Sequence, residues 1–275
     1  MPYPPNYGGV IDVFYKIRAL HELGIEIYLH TFEYGRGKPK ELEKFCKQVF
    51  YYQRSKSVIN LLSKIPYIVK SRSSDEMTKN LKEIEAPILF EGLHTTYPLI
   101  KEHFEDRLIL VRAHNIEHLY YKGLAESENR INKKIFFKTE AIKLFQYEKI
   151  LHKVDKILSI SPSENSYFRN QFIDKTVYIP VFHQNKKVRK LSKKGEFVLY
   201  HGDLRIADNI RSVHFLIDIF KGIKFSLLIA SSFINESILN KIKKFENIRF
   251  ITIKDQEHMI ELFEKAHMNV LPTFQ

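Results

Sequence analysis

One cysteine, Cys46, in 275 residues excludes an internal disulfide framework and points to a reducing compartment. No apolar run approaches the roughly 20 residues that a membrane-spanning helix needs; among the longest, Ile223 to Ala230 is already broken by Lys224. The first residues lack a basic region followed by an apolar one, so no signal peptide is read there. Zinc-finger spacing and an aromatic RNA-binding signature are missing, which argues against a nucleic-acid partner. The G-x-S-x-G elbow of a Ser–His–Asp hydrolase is absent too. The expected setting is the cytoplasm.

What is present is the composition of packed cores: 44% of residues are hydrophobic, 13% aromatic and 28% charged, unlike a disordered chain. Forty-four Lys and Arg against 32 Asp and Glu give a net charge of +12, which attracts polyanions: nucleic acid, anionic lipid headgroups or phosphorylated substrates. The densest basic stretch, Asn185 to Gly195, reads either as a solvated linker or as a membrane-surface or nucleic-acid segment.

Apolar residues Val10, Val13, Phe14, Ile17, Leu20 and Leu23 recur at helical spacing after the pair Gly8 and Gly9, while Asp12, Lys16, Arg18 and Glu22 are expected to stay wet. A glycine pair opening a helix suits an anion, because unpaired N–H groups and the helix dipole face it. Beyond that helix, strands and helices alternate: strands over residues 25–32, 47–53, "APILFEG", "RLILVRAHN", "KILSIS" and "TVYIPVF", and helices that include Asp75 to Ile84 and Asn129 to His152. Residues 56–70 read as a helix broken at Pro66, and the stripe Ile135, Ile142, Phe145 and Leu151 as a packed face. After the basic run the alternation restarts, with helices expected at Asn209 to Phe220, Ile234 to Phe245 and Gln256 to Ala266, and a last strand "MNVLP".

Such alternation means parallel sheets covered by helices, here as two doubly wound α/β domains: 1–183, a basic linker 184–195, and a partial second domain 196–275. The glycine loop reads as the exit of a strand that this chain does not contain, so a fragment is expected.

Open parallel sheets bind ligands at the carboxyl ends of their strands. There lie Glu91, Gly92 and His94; His114, Asn115, Glu117 and His118; Ser161; and His201, Gly202 and Asp203. His94 and His201 fit either a structural hydrogen bond or an acid–base role. His114 and His118, four residues apart, would share a face if the turn is helical, but a zinc reading wants a third ligand and the metalloprotease pattern wants Glu where Asn115 stands. The first-loop glycines do not make a dinucleotide fingerprint.

"PPNYGG", "RAHNIEH", "VDKILSISPSE", "YIPVF", "YHGDL" and "MIELFEKAHMNVLPTF" together resemble retaining glycosyltransferases with two Rossmann-like domains (the GT-B type), in the large family 4, of the bacterial surface-polysaccharide kind. The resemblance implies a nucleotide-sugar donor, a glycan or lipid-linked acceptor, no cofactor and no metal. It implies that His114 lies beside the transferred sugar, and that Gly8, Gly9, Ser161 and Gly202 lie near the donor, with Asp203, Arg205 and Asn209 in the second domain's phosphate loop. Many members carry Arg and Lys where this chain has Asp203 and Asp208, and Arg205 would stand in for the missing charge. Tyr7, Asp12, His94, Asn115, Glu117 and His118 would face the acceptor, and Gly9, His114 and Gly202 would line one cleft. The glutamate pair that holds the donor in family members would fall beyond Gln275. A peripheral place on the inner membrane face follows for the enzyme. Two rivals are a basic α/β module that binds a phosphorylated glycan, lipid or nucleic acid without turnover, and a sugar-nucleotide epimerase of the same architecture.

Overall fold

In the computed structural model, all residues are described except Tyr7, Tyr34, Arg36, Lys186, Lys187, Arg189 to Lys193 and Gln275, together with the side chain of Gln256. Most of the basic run, and Tyr7, therefore lie outside the described residues. The chain divides into two compact units, one of Met1–Glu126 with Arg130–Lys186 and one of Ser127–Asn129 with Lys187–Gln275.

The first unit opens with helix α1 (Gly8–Glu22), followed by strands β1 (Tyr28–Glu33) and β2 (Gln48–Gln53), which pair in parallel. A four-stranded sheet follows, in the order β3 (Ile88–Glu91), β4 (Ile109–Ala113), β5 (Lys156–Ser159), β6 (Thr176–Tyr178), all parallel. Between the strands run α2 (Tyr67–Lys70), α3 (Asp75–Glu83), α4 (Pro98–Lys101), α5 (Glu117–Ser127), α6 (Ile131–Tyr147) and α7 (Pro162–Gln171). Phe90, Val111 and Ile157 from three neighbouring strands share one core with Phe32, Tyr52, Leu144 and Phe168.

The break expected at Pro66 is there: a 3₁₀ turn runs over Val58–Leu62, and Pro66, with no N–H to extend a helix from it, opens α2 instead. Helix α5, which periodicity does not announce, begins two residues before its first apolar side chain, Leu119. On α6 the stripe is inverted: Ile135, Ile142 and Phe145 are exposed, while Glu140 and Leu144 are buried.

The second unit is a four-stranded parallel sheet in the order β10 (Ala266–Asn269), β7 (Phe197–His201), β8 (Leu227–Ser231), β9 (Ile248–Thr252), with α8 (Ala207–Phe220), α9 (Glu236–Ile242) and α10 (Gln256–Lys265). Strand alternation sorts β7 and β8 between two faces. Tyr200, Leu227 and Ile229 pack with α8 and α9 residues such as Val213, Ile217 and Ile238, while Phe197, Leu199, Leu228 and Ala230 pack with Leu262 of α10. Helix α8 starts at Ala207, two residues before the expected Asn209, and the last strand is Ala266–Asn269, ahead of the expected 268–272.

Candidate functional site

The carboxyl ends of β3 and β4 and the first turns of α1 enclose a buried polar cluster. Its anchor is Arg112, a charge inside an otherwise apolar strand and fully buried. A buried guanidinium needs an anion and a full set of acceptors. Its Nε donates to Asp12 Oδ2 (3.0 Å) and its Nη2 to Asp12 Oδ1 (2.8 Å), while Nη1 and Nη2 also donate to the carbonyls of Ile179 and Pro180. Asp12 accepts a further bond from the Phe182 amide at 2.8 Å.

Lys16, one turn after Asp12, extends its ammonium to 2.7 Å from Glu91 Oε1 and 3.4 Å from Asp12 Oδ2. Glu91 ends β3 and in turn meets His114 Nε2 at 3.2 Å. The sequence expectation that Asp12 and Lys16 stay wet is thus corrected: both are buried. Leu23, expected to pack, is exposed. Helical periodicity counts apolar residues, and it cannot see that α1 turns a charged stripe toward oppositely charged strand ends.

Burial pushes the Asp12 carboxyl up, but the Arg112 hydrogen bonds, the Lys16 charge and the Phe182 amide outweigh it and hold it below its ordinary value. Glu91 follows the same balance, with burial opposed by Lys16 and His114, and also ends below. Ligating atoms of Asp12, Glu91 and His114 lie within 4.8 Å of one another, near enough to hold a cation. Lys16 already supplies that charge between the two carboxylates.

Gly8 and Gly9 stand at the start of α1, beside this cluster. A Cβ on Gly8 would meet nothing within 4 Å, and one on Gly9 would lie 3.6 Å from His114 Nδ1. The glycine pair therefore faces open space and the His114 ring, leaving room over the helix N-terminus.

His94 is held in the 3₁₀ turn Leu93–Thr95 that follows β3. Gly92 makes that turn possible: its φ is +82°, and a Cβ there would come within 2.6 Å of the His94 ring. Burial, then the charges of Arg72, His114 and Arg54 and the chain's N-terminal ammonium, keep His94 well below its ordinary value. A neutral imidazole among cations is the result.

On α5, Glu117 is buried. Burial pushes it up to about 7, against the pull of His114 and Arg72. His118 does not share a helix face with His114, which precedes α5. It meets Glu148 Oε2 at 3.2 Å, packs on Phe145 and Tyr167, and shares Glu148 with the Tyr167 hydroxyl, which donates at 2.6 Å. Asn115 is exposed. Ser161 caps α7: its Oγ accepts from the Glu164 amide at 3.2 Å and donates to the Glu164 carboxylate at 2.9 Å.

In the second unit, a Cβ on Gly202 would lie 2.9 Å from Tyr200 Oη and 3.3 Å from the Asn209 side-chain amide, so any side chain there forces a neighbour to shift. Asn209 Nδ2 donates to the Asp203 carbonyl, and Arg205 forks onto Asp203 through Nε and Nη2, both at 2.8 Å. The Arg205 hydrogen bond and burial act in opposite senses on Asp203, and the bond wins, holding it low. Here Arg205 spends its charge on its own loop. His201 is pushed down by burial and packs edge-on against Phe263 at 5.2 Å.

Periodicity alone passes over Arg112, Lys16, Glu148 and Tyr167. The one signal for the first of these is an arginine inside "LILVRA", since a charge in a strand buried on both faces requires a partner.

No protein-family model matches the chain. It is 32% identical over 221 residues to an uncharacterised 44.6 kDa protein in the cps region of Klebsiella pneumoniae, a match covering 77% of this chain and 56% of that protein. The chain thus spans about half the length of this curated relative. Solved structures are similar at lower identity. LpCGTa in complex with UDP aligns at a TM-score of 0.58 and 10% identity, over 96% of this chain and 72% of that one. MurG of Acinetobacter baumannii aligns at 0.52 and 12%, over 95% and 67%. Phytolacca americana UGT2 complexed with UDP-2fluoro-glucose and pterostilbene aligns at 0.53 and 9%, over 93% and 72%. The α/β fold with parallel, Rossmann-like sheets matches these GT-B glycosyltransferase structures.

Proposed function

We propose that this chain belongs to a glycosyltransferase that moves a sugar from a nucleotide-sugar donor to a glycan or lipid-linked acceptor in surface-polysaccharide synthesis. The observation that carries the reading is His114, held by Glu91 and standing next to the uncovered glycine pair at the α1 N-terminus. In such a transfer the bond from the sugar's anomeric carbon to phosphate oxygen breaks with its electron pair going to the phosphate. An acceptor hydroxyl oxygen then bonds that carbon and passes its proton to the departing phosphate oxygen. Negative charge builds on the departing diphosphate, and helix N-terminal amides stabilise it without reorganising. The neighbours solved with UDP or a UDP-sugar make a uridine nucleotide the first donor to try.

In this reading His114 contacts the transferred sugar, and the Glu91–Lys16–Asp12–Arg112 chain fixes its ring. Gly202, Asp203, Arg205, Asn209 and Ser161 remain candidates for the donor side. His94, Asn115, Glu117, His118 and Tyr7 remain candidates for the acceptor side, whereas Asp12, buried with both carboxylate oxygens bonded, supports the site from behind. No metal is invoked, because Lys16 supplies the cation among the carboxylates.

The test is nucleoside diphosphate release from a panel of sugar nucleotides, with extracted lipid-linked saccharides as acceptors, by a protein that carries this chain and extends to the length of the relative it matches over 56%. Release that falls at least tenfold in His114→Ala, with the fold intact, supports the proposal. Donor binding without release would favour the binding-module reading, and neither binding nor release by that longer protein would overturn the proposal.

A further inference from the structure

Lys16, Arg112 and Arg205 each meet a carboxylate. The C-terminal end of α2 is built differently. There Arg54 donates from Nε to Ser71 Oγ at 2.9 Å and lies over the Tyr67 ring at 5.8 Å. Lys70 donates to the Tyr97 hydroxyl at 3.3 Å and lies over that ring, and Arg72 donates from Nη1 to the Ile68 carbonyl at 2.6 Å. From Arg54 to Ser74 the chain has five basic residues and no acidic one, so the segment brings no counter-charge of its own. All three cations are half-buried, and a cation held among neutral groups keeps its charge for an anion that arrives from outside.

This end of α2 packs against the 3₁₀ turn that carries His94. Burial, and after it the charges of Arg72, His114 and Arg54, keep that imidazole neutral. Arg72 also pulls on Glu117, but burial comes first and pushes that carboxyl up to about 7, so Glu117 carries only part of a charge at neutral pH. Two guanidiniums thus stand beside a neutral imidazole, with positive charge in surplus.

A row of aromatic rings runs on from the cations. Tyr67, under Arg54, meets Phe136 at 6.3 Å; Phe136 meets Phe137 at 5.4 Å, Phe137 meets Tyr121 at 5.9 Å, and Tyr121 meets Tyr120 at 6.1 Å. The row returns to the same charge: burial pushes the Tyr121 hydroxyl up, Glu117 and Glu140 add to it, and Arg72 opposes them. Tyr120, at the far end, is 42% exposed. Aromatic faces pack against the C–H face of a sugar ring, while their hydroxyls bond its polar edge. Guanidiniums fork onto a carboxylate or a phosphate.

We propose that Arg54, Arg72 and the ring row from Tyr67 to Tyr120 bind an acidic saccharide, one whose sugar carries a carboxylate or a phosphate. That this saccharide is the acceptor rests on the transfer reading above; that the site selects an acidic sugar over a neutral one does not.

The experiment uses the longer protein that carries this chain, and measures by ligand-observed NMR the binding of methyl glucuronide, glucose monophosphate and methyl glucoside. At low salt at least one acidic sugar should bind about tenfold or more tighter than the glucoside, and the preference should shrink as salt rises. The glucuronide and the phosphate, compared directly, tell which acidic group the site takes. Arg54→Gln and Arg72→Gln should each remove about tenfold from the acidic sugar and leave the glucoside unchanged. Tyr120→Ala, at an exposed position, should weaken all three sugars about fivefold with an unaltered thermal melt. Equal binding of acidic and neutral sugars, a preference that salt does not reduce, or a preference intact in both arginine variants would overturn the proposal. The salt series needs no substitution, so it decides even if an arginine variant fails to fold. In the nucleoside diphosphate release assay the arginine variants should raise the acceptor KM and leave kcat nearly unchanged. Acidic-sugar preference without release from any donor would support the site and count against the transfer reading alone, whereas release with neutral acceptors only would overturn the acceptor assignment.

Discussion

The Arg112 guanidinium grips the Asp12 carboxylate with two parallel hydrogen bonds, Nε to Oδ2 at 3.0 Å and Nη2 to Oδ1 at 2.8 Å, where neither side chain touches solvent appreciably. The pair joins the first helix of the chain to a central strand a hundred residues later. Removing one partner strands the other as a buried, uncompensated charge, whereas removing both takes the opposite charges away together and leaves the Phe182 amide and the Ile179 and Pro180 carbonyls without these partners. Asp12→Asn should therefore cost about 3–5 kcal/mol in denaturant unfolding, and Asp12→Leu with Arg112→Met should recover a good part of it. Equal losses in the single and double variants would contradict this.

Glu117 makes stability depend on pH in an unusual sense. Its carboxyl is pushed up to about 7 in the folded protein, first by burial, whereas in the unfolded chain it ionises near the ordinary glutamate value. Between those values the folded state binds more protons than the unfolded one, so stability falls as pH rises. The fall is complete above about 7 and amounts to at most about 3.5 kcal/mol. Glu117→Gln should be more stable than the parent at pH 8 and nearly equal to it at pH 4. Parallel stability–pH curves for the two proteins would refute the assignment.

His30 acts at the other end of the scale. Burial, and then the Arg107 charge, push it down to about 4, and its ring meets the Tyr52 hydroxyl at 2.8 Å. The unfolded chain takes up a proton near 6.5, so stability falls as pH drops from about 6.5 to 4. His30→Gln should flatten that part of the curve in urea titrations at successive pH values, and an unchanged slope would rule His30 out as its source.

Two glycines at the expected donor side should respond oppositely to alanine. Gly202→Ala drives a Cβ to 2.9 Å from the Tyr200 hydroxyl and should cost about 1–3 kcal/mol as an overpacked site. Gly8→Ala meets open space and should leave the thermal midpoint within about a degree or two of the parent. If the α1 N-terminus receives a donor phosphate, Gly8→Ala should nonetheless weaken nucleotide-sugar binding measured by calorimetry. Undiminished binding would remove Gly8 from the site.

Much of the fold can be read along the chain because it is local. Apolar strands such as "PILF" and "FVLY", bounded by glycine and polar residues, announce parallel strands by composition alone, and their alternation with helices implies two α/β units. The carboxyl-end rule likewise brings His94, His114 and Glu91 to one rim before any coordinate is known. Local pattern fails where a side chain's partner is far away in sequence. The Asp12–Arg112 pair spans 100 residues and Lys16–Glu91 spans 75, so nothing near Asp12 or Lys16 says that they are buried. On α6 the periodicity of Ile135, Ile142 and Phe145 is real, but period identifies a face and not what the face meets. Burial of Glu140 against the Tyr67 amide and Lys143 decides which side of α6 turns inward, because a carboxylate with hydrogen-bond donors can be covered while the isoleucines opposite find none of the core to join.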